Sequence, residues 1–232
     1  MKWGTKFGPE YVNRLASMVR RHLSLPHRFV CFTDDQRDLD SRIDARPLPD
    51  FDDPGGPERG WRKISTFRSP LFDLTGPTLF VDLDVVIVGS MDCFFEYPGE
   101  FCIIKDWVRP RRPTGNSSVY RFEAGAHPWL LEKFMSQHAD IRREVRNEQE
   151  YISRELFNAG KLAYWPKEWC VSFKYGCMAK FPMNWWTPAR IPSGARIVVF
   201  HGHPNPPDAV VGRSKKLTRH VLPTPWVAEH WQ

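Results

Sequence analysis

Two acids interrupt an otherwise apolar run, TLFVDLDVVIV, at residues 78–88. Thr78, Leu79, Phe80 and Val81 before them, and Val85, Val86, Ile87 and Val88 after them, are β-branched or apolar. That pattern predicts a strand covered on both faces. A bare carboxylate in such a strand is costly unless it is paired, hydrogen-bonded or bound to a cation. In an extended chain, side chains at i and i+2 leave by the same face. Asp82 and Asp84 then aim two carboxylates into one small volume, and their repulsion calls for a counter-charge. A divalent cation that favours hard oxygen ligands, Mn²⁺ or Mg²⁺, supplies it.

The rest of the chain alternates between helical and extended patterns. GPEYVNRLASMVRRHLSLP reads as a helix opened by Gly8 and Pro9, with Tyr11, Leu15, Met18, Val19 and Leu23 forming its apolar stripe and Pro26 closing it. RFVCFTDD reads as a strand, and residues 37–60, rich in Asp, Pro and Gly, as loop. WRKISTFRSPLFDL has helical spacing that Pro70 must kink or split. EFCIIKD and NSSVYRF read as strands, HPWLLEKFMSQH and NEQEYISRELFNAG as helices, and KLAYW and RIVVF as short strands. Residues 165–192 read as irregular and aromatic, and the chain after Pro204 shows no periodicity. This alternation predicts an α/β fold with a mostly parallel central sheet. A single domain over 1–210 is expected, followed by a basic, Pro-containing tail over 211–232.

Composition narrows the classes of function. No run of apolar residues is long enough for a membrane span, and MKWGTKFGPEY lacks the apolar core of a signal peptide. The five cysteines form no CxxC pair and read as buried free thiols. A soluble, cytoplasmic protein is expected. Its net charge of +6 suits an anionic ligand such as a nucleoside diphosphate, or a peripheral contact with an acidic membrane. With no zinc-finger spacing, RNP-like motif or long basic helix, nucleic acid is not expected as a partner.

A second strand brings a further candidate ligand. In RIVVFHGHPNP, His201 follows four apolar residues and precedes Gly202, so it should emerge at a strand tip. Imidazole joins carboxylates in Mn²⁺ sites, although a strand-end histidine bonded to a neighbouring loop fits the same pattern.

The order of these motifs resembles the GT-A glycosyltransferases, and among them the glycogenin-like group of retaining transferases. WGTKFGPEY matches the loop and helix that hold the nucleotide's uracil, WRKISTF the Lys or Arg ahead of the DxD, and LFVDLDVVIVG the DxD strand. NSSVYRF matches the Asn-Ser segment, NEQEYIS the acid-Gln-acid triplet, and FHG the strand ending in His-Gly. The resemblance covers residues 3–206. It implies a GT-A-like, Rossmann-like α/β/α sandwich and a metal-dependent hexosyltransferase. The donor would be a nucleotide sugar, with UDP as its nucleotide, and the acceptor an unidentified glycan, lipid or protein. By the same resemblance, Asp82, Asp84 and His201 hold Mn²⁺ (or Mg²⁺). Trp3, Gly4, Thr5, Tyr11, Lys63, Arg68, Asp82, Asn116, Ser117 and Glu148 bind the donor. Gln149 and Glu150 are the catalytic candidates, with Gln149 nearest the anomeric carbon.

Plainer roles fit several of these residues. Lys63 suits a solvated helix face as well as a donor contact. Asn147 can cap a helix whose first-turn acids complement its dipole. Asn116 and Ser117 suit a turn. Trp165, Trp169, Trp185 and Trp186 suit either an acceptor platform or loop packing. Two departures from the family pattern stand out. Only Met1 and Lys2 precede Trp3, and Asn205 stands near where the family carries a Lys after His-Gly. Retention is expected because no carboxylate stands out as the base that inversion needs. Two other readings remain. One is a haloacid-dehalogenase-type phosphatase with Asp82 as nucleophile and Asp84 as acid/base. The other is a domain that binds nucleotide sugars without turning them over.

Overall fold

The structure is a computed structural model that describes residues 1–52, 55, 57–58 and 60–232. In chain order it contains α1 (Pro9–His22), β1 (Val30–Phe32), β2 (Asp44–Arg46), a 3-10 helix (Trp61–Phe67), β3 (Pro77–Val81), β4 (Val85–Ile87), α2 (Cys93–Glu96), β5 (Phe101–Lys105), β6 (Gly115–Glu123) and α3 (Pro128–Glu144). There follow α4 (Glu148–Asn158), β7 (Leu162–Tyr164), β8 (Cys170–Ser172), a π-helical turn (Phe173–Cys177), β9 (Ile197–Val199), α5 (Pro206–Val211) and α6 (Pro225–His230). The loop expected over 37–60 also contains β2, and its positions 53, 54, 56 and 59 lie outside the described residues.

The elements group into two compact units. One contains Pro47–Val81 and Phe94–Trp165. Its sheet has the order β3-β6-β5-β7, with β3/β6 and β6/β5 antiparallel and β5/β7 parallel. The 3-10 helix, α3 and α4 supply Ile64, Phe67, Leu130, Phe134, Tyr151 and Leu156 to a core shared with Phe101, Tyr120 and Phe122 of the sheet. The other unit contains Lys2–Arg46, Asp82–Cys93 and Pro166–Gln232. Here β1 and β2 form a parallel pair, and β4-β9-β8 form a three-stranded sheet, antiparallel at β4/β9 and parallel at β9/β8. Every residue of β4 and β9 is fully buried. The expected stripe of α1 is buried throughout, and the Ile87 amide of β4 points at the Met18 sulfur at 3.4 Å.

Two expectations need correction. The sheets are mixed rather than one mostly parallel sheet. The reason is legible at β5/β6: residues 106–114 contain no helix, so the chain returns antiparallel instead of crossing over. The apolar run 78–88 is also two strands, not one. β3 is only partly buried and belongs to one sheet, β4 to another, and residues 82–84 form a bend between them. In that bend Leu83 is buried while Asp82 and Asp84 are half-exposed.

Three further features went unread in the sequence. Residues 165–192 contain β8, and the chain after Pro204 contains α5 and α6. The cysteines are free, and four of the five are buried. Among the described residues no helix is long and apolar enough to cross a membrane.

Candidate functional site

Within the first unit, three elements bring the expected sugar-side residues together. The 3-10 helix carries Lys63, the start of β6 carries Asn116 and Ser117, and the first turn of α4 carries Glu148, Gln149 and Glu150. Ser153 Oγ accepts from the Gly115 amide at 2.8 Å and ties α4 to the start of β6. Ser117 Oγ donates to Glu148 Oε1 at 2.5 Å, and the Lys63 ammonium lies 3.8 Å from the same oxygen. That ammonium also donates to the Ser117 carbonyl at 3.3 Å and sits 5.3 Å from the centre of the Phe80 ring. Lys63, Ser117 and Glu148 are all buried, which removes the solvated-face role for Lys63. Gly60 has φ +81°, and a Cβ there would come within 2.5 Å of the Glu148 carboxyl, so only glycine permits this approach.

The neighbouring pairs are set by the same helix turn. Asn116 Nδ2 donates to Gln149 Oε1 at 3.5 Å, and Asn116 Oδ1 accepts from the Ser118 amide at 3.1 Å, within strand β6 rather than the turn the sequence allowed. Asn147 caps α4 by accepting from the Glu150 amide at 3.2 Å. Glu150 is held by Arg109 at 3.0 Å and by Arg146 Nε at 2.7 Å. Burial works to raise its pKa, but the bonds from Arg146 and the charges of Arg146 and Arg109 outweigh burial and hold it low. A carboxylate gripped in this way is an anchor rather than a general base. Arg68 is engaged by the Asp50 carbonyl at 3.0 Å.

The second unit holds the expected nucleotide-side residues. Lys2 makes an isolated parallel bridge to Thr33, the Gly4 amide donates to Asp34 Oδ2 at 2.8 Å, and Trp3 is half-buried while Thr5 is exposed. Tyr11 is buried, and its pKa is raised by burial and by the charges of Glu10, Asp208 and Asp84. The β4/β9 ladder continues past its ends, because the Phe200 amide donates to the Asp84 carbonyl at 2.9 Å. His201 therefore leaves β9 next to the acidic bend, as its sequence position suggested.

The imidazole itself turns to other partners. His201 Nε2 shares a hydrogen bond with Ser172 Oγ at 2.7 Å, and its ring lies parallel to Tyr175 at 5.7 Å. Burial first, then the charges of Lys174 and Arg219, push its pKa down to about 4, so the ring is neutral at pH 7. Neutral imidazole and two carboxylates have the right chemistry for Mn²⁺. Their arrangement does not match it. Among the described residues, no three His, Cys, Asp or Glu side chains are grouped to hold a metal ion.

Sequence reasoning missed Lys174, Tyr175 and Arg219. Lys174 donates to the His201 carbonyl, and its pKa is brought down to about 8 by burial and by Arg219, against the opposing charge of Asp84. The signal available was a lone Lys directly after the apolar CVSF. Trp165 is buried with Nε1 donating to the Val119 carbonyl, whereas Trp185 and Trp186 are exposed in the other unit.

No family model and no curated protein matches this sequence. Solved structures do. The galactosyltransferase LgtC, in complex with donor and acceptor sugar analogs, superposes with a TM-score of 0.59 at 14% identity over 85% of each chain. The fold is GT-A-like. An active-site glutamine-to-glutamate mutant of LgtC gives 0.59 at 12% over 85% of each chain. The glycosyltransferase GlyE of Streptococcus pneumoniae TIGR4 gives 0.56 at 11%, over 88% of this chain and 55% of that one. At these identities the likeness carries the fold alone, and it reaches the GT-A-like architecture without singling out the glycogenin-like group.

Proposed function

We propose that this chain is a glycosyltransferase that moves a hexose from a nucleotide sugar, a UDP-sugar first among candidates, to a hydroxyl of a glycan, lipid or protein acceptor. The observation that carries the reading is the meeting of the acidic bend with the His-bearing strand, through the Phe200–Asp84 backbone bond, in a chain whose fold is GT-A-like. In this reading Trp3, Gly4, Thr5, Tyr11 and Asp82 take the nucleotide, and Asp84 belongs with Asp82 and His201 to the candidate metal ligands. Lys63, Arg68, Asn116, Ser117 and Glu148 serve the donor, and Gln149 lies nearest the anomeric carbon. Support for Gln149 comes from the solved LgtC mutant, whose altered active-site residue is a glutamine.

The acceptor hydroxyl oxygen bonds to the anomeric carbon as the carbon–oxygen bond to the diphosphate breaks. The bonding pair leaves with the diphosphate, which also takes the hydroxyl proton. Retention follows the glycogenin-like resemblance. Glu150, held down by two guanidiniums, is unsuited to the base role that inversion needs. Mn²⁺ or Mg²⁺ enters this proposal as a variable for experiment, because the three expected ligands are not grouped as they stand.

A peripheral membrane contact belongs to the same reading. Phe181, Met183, Trp186 and Leu217 are exposed, and residues 170–228 carry eight Lys or Arg against one acid. Exposed aromatics amid basic residues suit an anionic lipid surface.

Thermal-shift measurements with UDP-, GDP-, CDP- and ADP-hexoses, each with and without Mn²⁺, test the donor class. Stabilisation by UDP-hexoses above the other three is expected, since a ligand that binds only the folded chain raises its melting temperature. No shift with any donor under either condition would contradict the reading.

A further inference from the structure

The π-helical turn after β8 projects a lysine into the end of the neighbouring strand. β8 runs parallel to β9, with Ser172 opposite Val199, so Lys174 and His201 both lie just past the same sheet edge. Phe173 and Phe200 stack at 4.4 Å and are both buried, which fixes the backbone from which the two residues emerge. The Lys174 ammonium donates to the His201 carbonyl and lies 3.7 Å from where a Cβ on Gly202 would stand. Gly202 has φ +76°, the left-handed conformation that glycine permits at this turn.

The chain near its C-terminus adds a second cation at this point. Arg219 lies 5.8 Å from the centre of the Tyr175 ring and donates to the Tyr175 hydroxyl at 3.4 Å, while Tyr175 lies against the His201 ring. Lys216 also acts electrostatically on Lys174, and Asp84 is the opposing charge. The charges of Arg219 and Lys216 thus work on Lys174 against that of Asp84. Among the described residues, the hydrogen-bond partner of the Lys174 amine is a carbonyl and that of the Arg219 guanidinium a hydroxyl, so neither bond supplies negative charge. Asn205, near where the family resemblance leads one to look for a lysine, caps α5 and exchanges hydrogen bonds with Asp208.

Lys174 is half-buried and Arg219 is exposed beside Tyr175, and ammonium and guanidinium donors give their strongest bonds to phosphate oxygens. We propose that Lys174 and Arg219 form a diphosphate-binding face built into the protein. If the glycosyltransferase reading holds, on which this identification of the anion rests, they take the diphosphate of the donor and of the nucleotide product. Lys174 supplies the fixed point charge, and Arg219, positioned by Tyr175, supplies the planar fork.

Calorimetric titration of the full chain with inorganic pyrophosphate and with UDP, in metal-free buffer, tests this. The wild type is compared with K174M, R219M and K174R, each checked for an intact circular dichroism spectrum. K174M and R219M should each weaken pyrophosphate and UDP by about tenfold, the size of one lost charge-assisted contact, and K174R should retain most of the affinity. Should K174M fail to fold, R219M decides, because Arg219 is exposed and its loss leaves no buried hole. Unchanged affinities in both neutral variants would overturn the face while leaving the glycosyltransferase reading intact. Binding of pyrophosphate without UDP would support the face and count against that reading. A wild type that binds neither would overturn the face, and the thermal-shift series with Mn²⁺ would decide the glycosyltransferase reading.

Discussion

Lys63 shows how far a single residue can depart from its sequence pattern. Its spacing allowed a solvated helix face, yet its ammonium is buried against Glu148, Ser117 and Phe80. Taking away one partner of such a pair leaves the other charge uncompensated, which costs about 3–5 kcal/mol. K63M should therefore lower the unfolding free energy by about that amount in urea titrations. The double variant K63M/E148L should recover most of the loss, because both charges are then gone. If K63M is as stable as the wild type, the buried pair is not as described. Lys174 and Arg219 make the converse case. A lone Lys after CVSF marks Lys174 only faintly and nothing local marks Arg219, because their relation to Asp84 and His201 is set by the pairing of distant strands and could not be read from spacing.

At the level of elements, hydrophobic periodicity located most helices and strands but not their pairing. The stripe of α1, the apolar trios of β4 and β9, and the Asn147 cap of α4 all stand where the pattern put them. Strand direction is decided by the connection, and so the antiparallel β5/β6 pair escaped the reading. β2 escaped because Asp44, Ala45 and Arg46 are only half-buried and show no apolar alternation. α5 and α6 are six residues each and begin at prolines, too short for a 3.6-residue period to declare itself. The α4 cap matters to the candidate site because it orients Glu148, Gln149 and Glu150. Replacement of Asn147 by Ala should cost about 1 kcal/mol of stability, measured by urea denaturation. No change would mean that the Asn147–Glu150 bond contributes nothing to holding that turn.

For the molecule as a whole, the solved structures show a GT-A-like fold, and the glycosyltransferase chemistry proposed above rests on that fold together with the order of the motifs. The candidate residues were legible as two sets, and contacts within each set lie inside its own unit. The Lys63–Ser117–Glu148 and Asn116–Gln149 contacts form one, and the Asp84–Phe200 ladder with His201 forms the other. What the sequence could not convey was how His201 spends its imidazole, since Ser172 comes from another strand of the same sheet. The most direct measurement is a proton NMR time course of the full chain with UDP-hexoses and Mn²⁺, with water or added sugars as acceptor, beside a folded D84N variant. The account predicts that a UDP-hexose is consumed by the wild type, that the first-formed product keeps the donor's anomeric configuration, and that D84N loses the activity. Full retention of each UDP-, GDP-, CDP- and ADP-hexose by the wild type would contradict it.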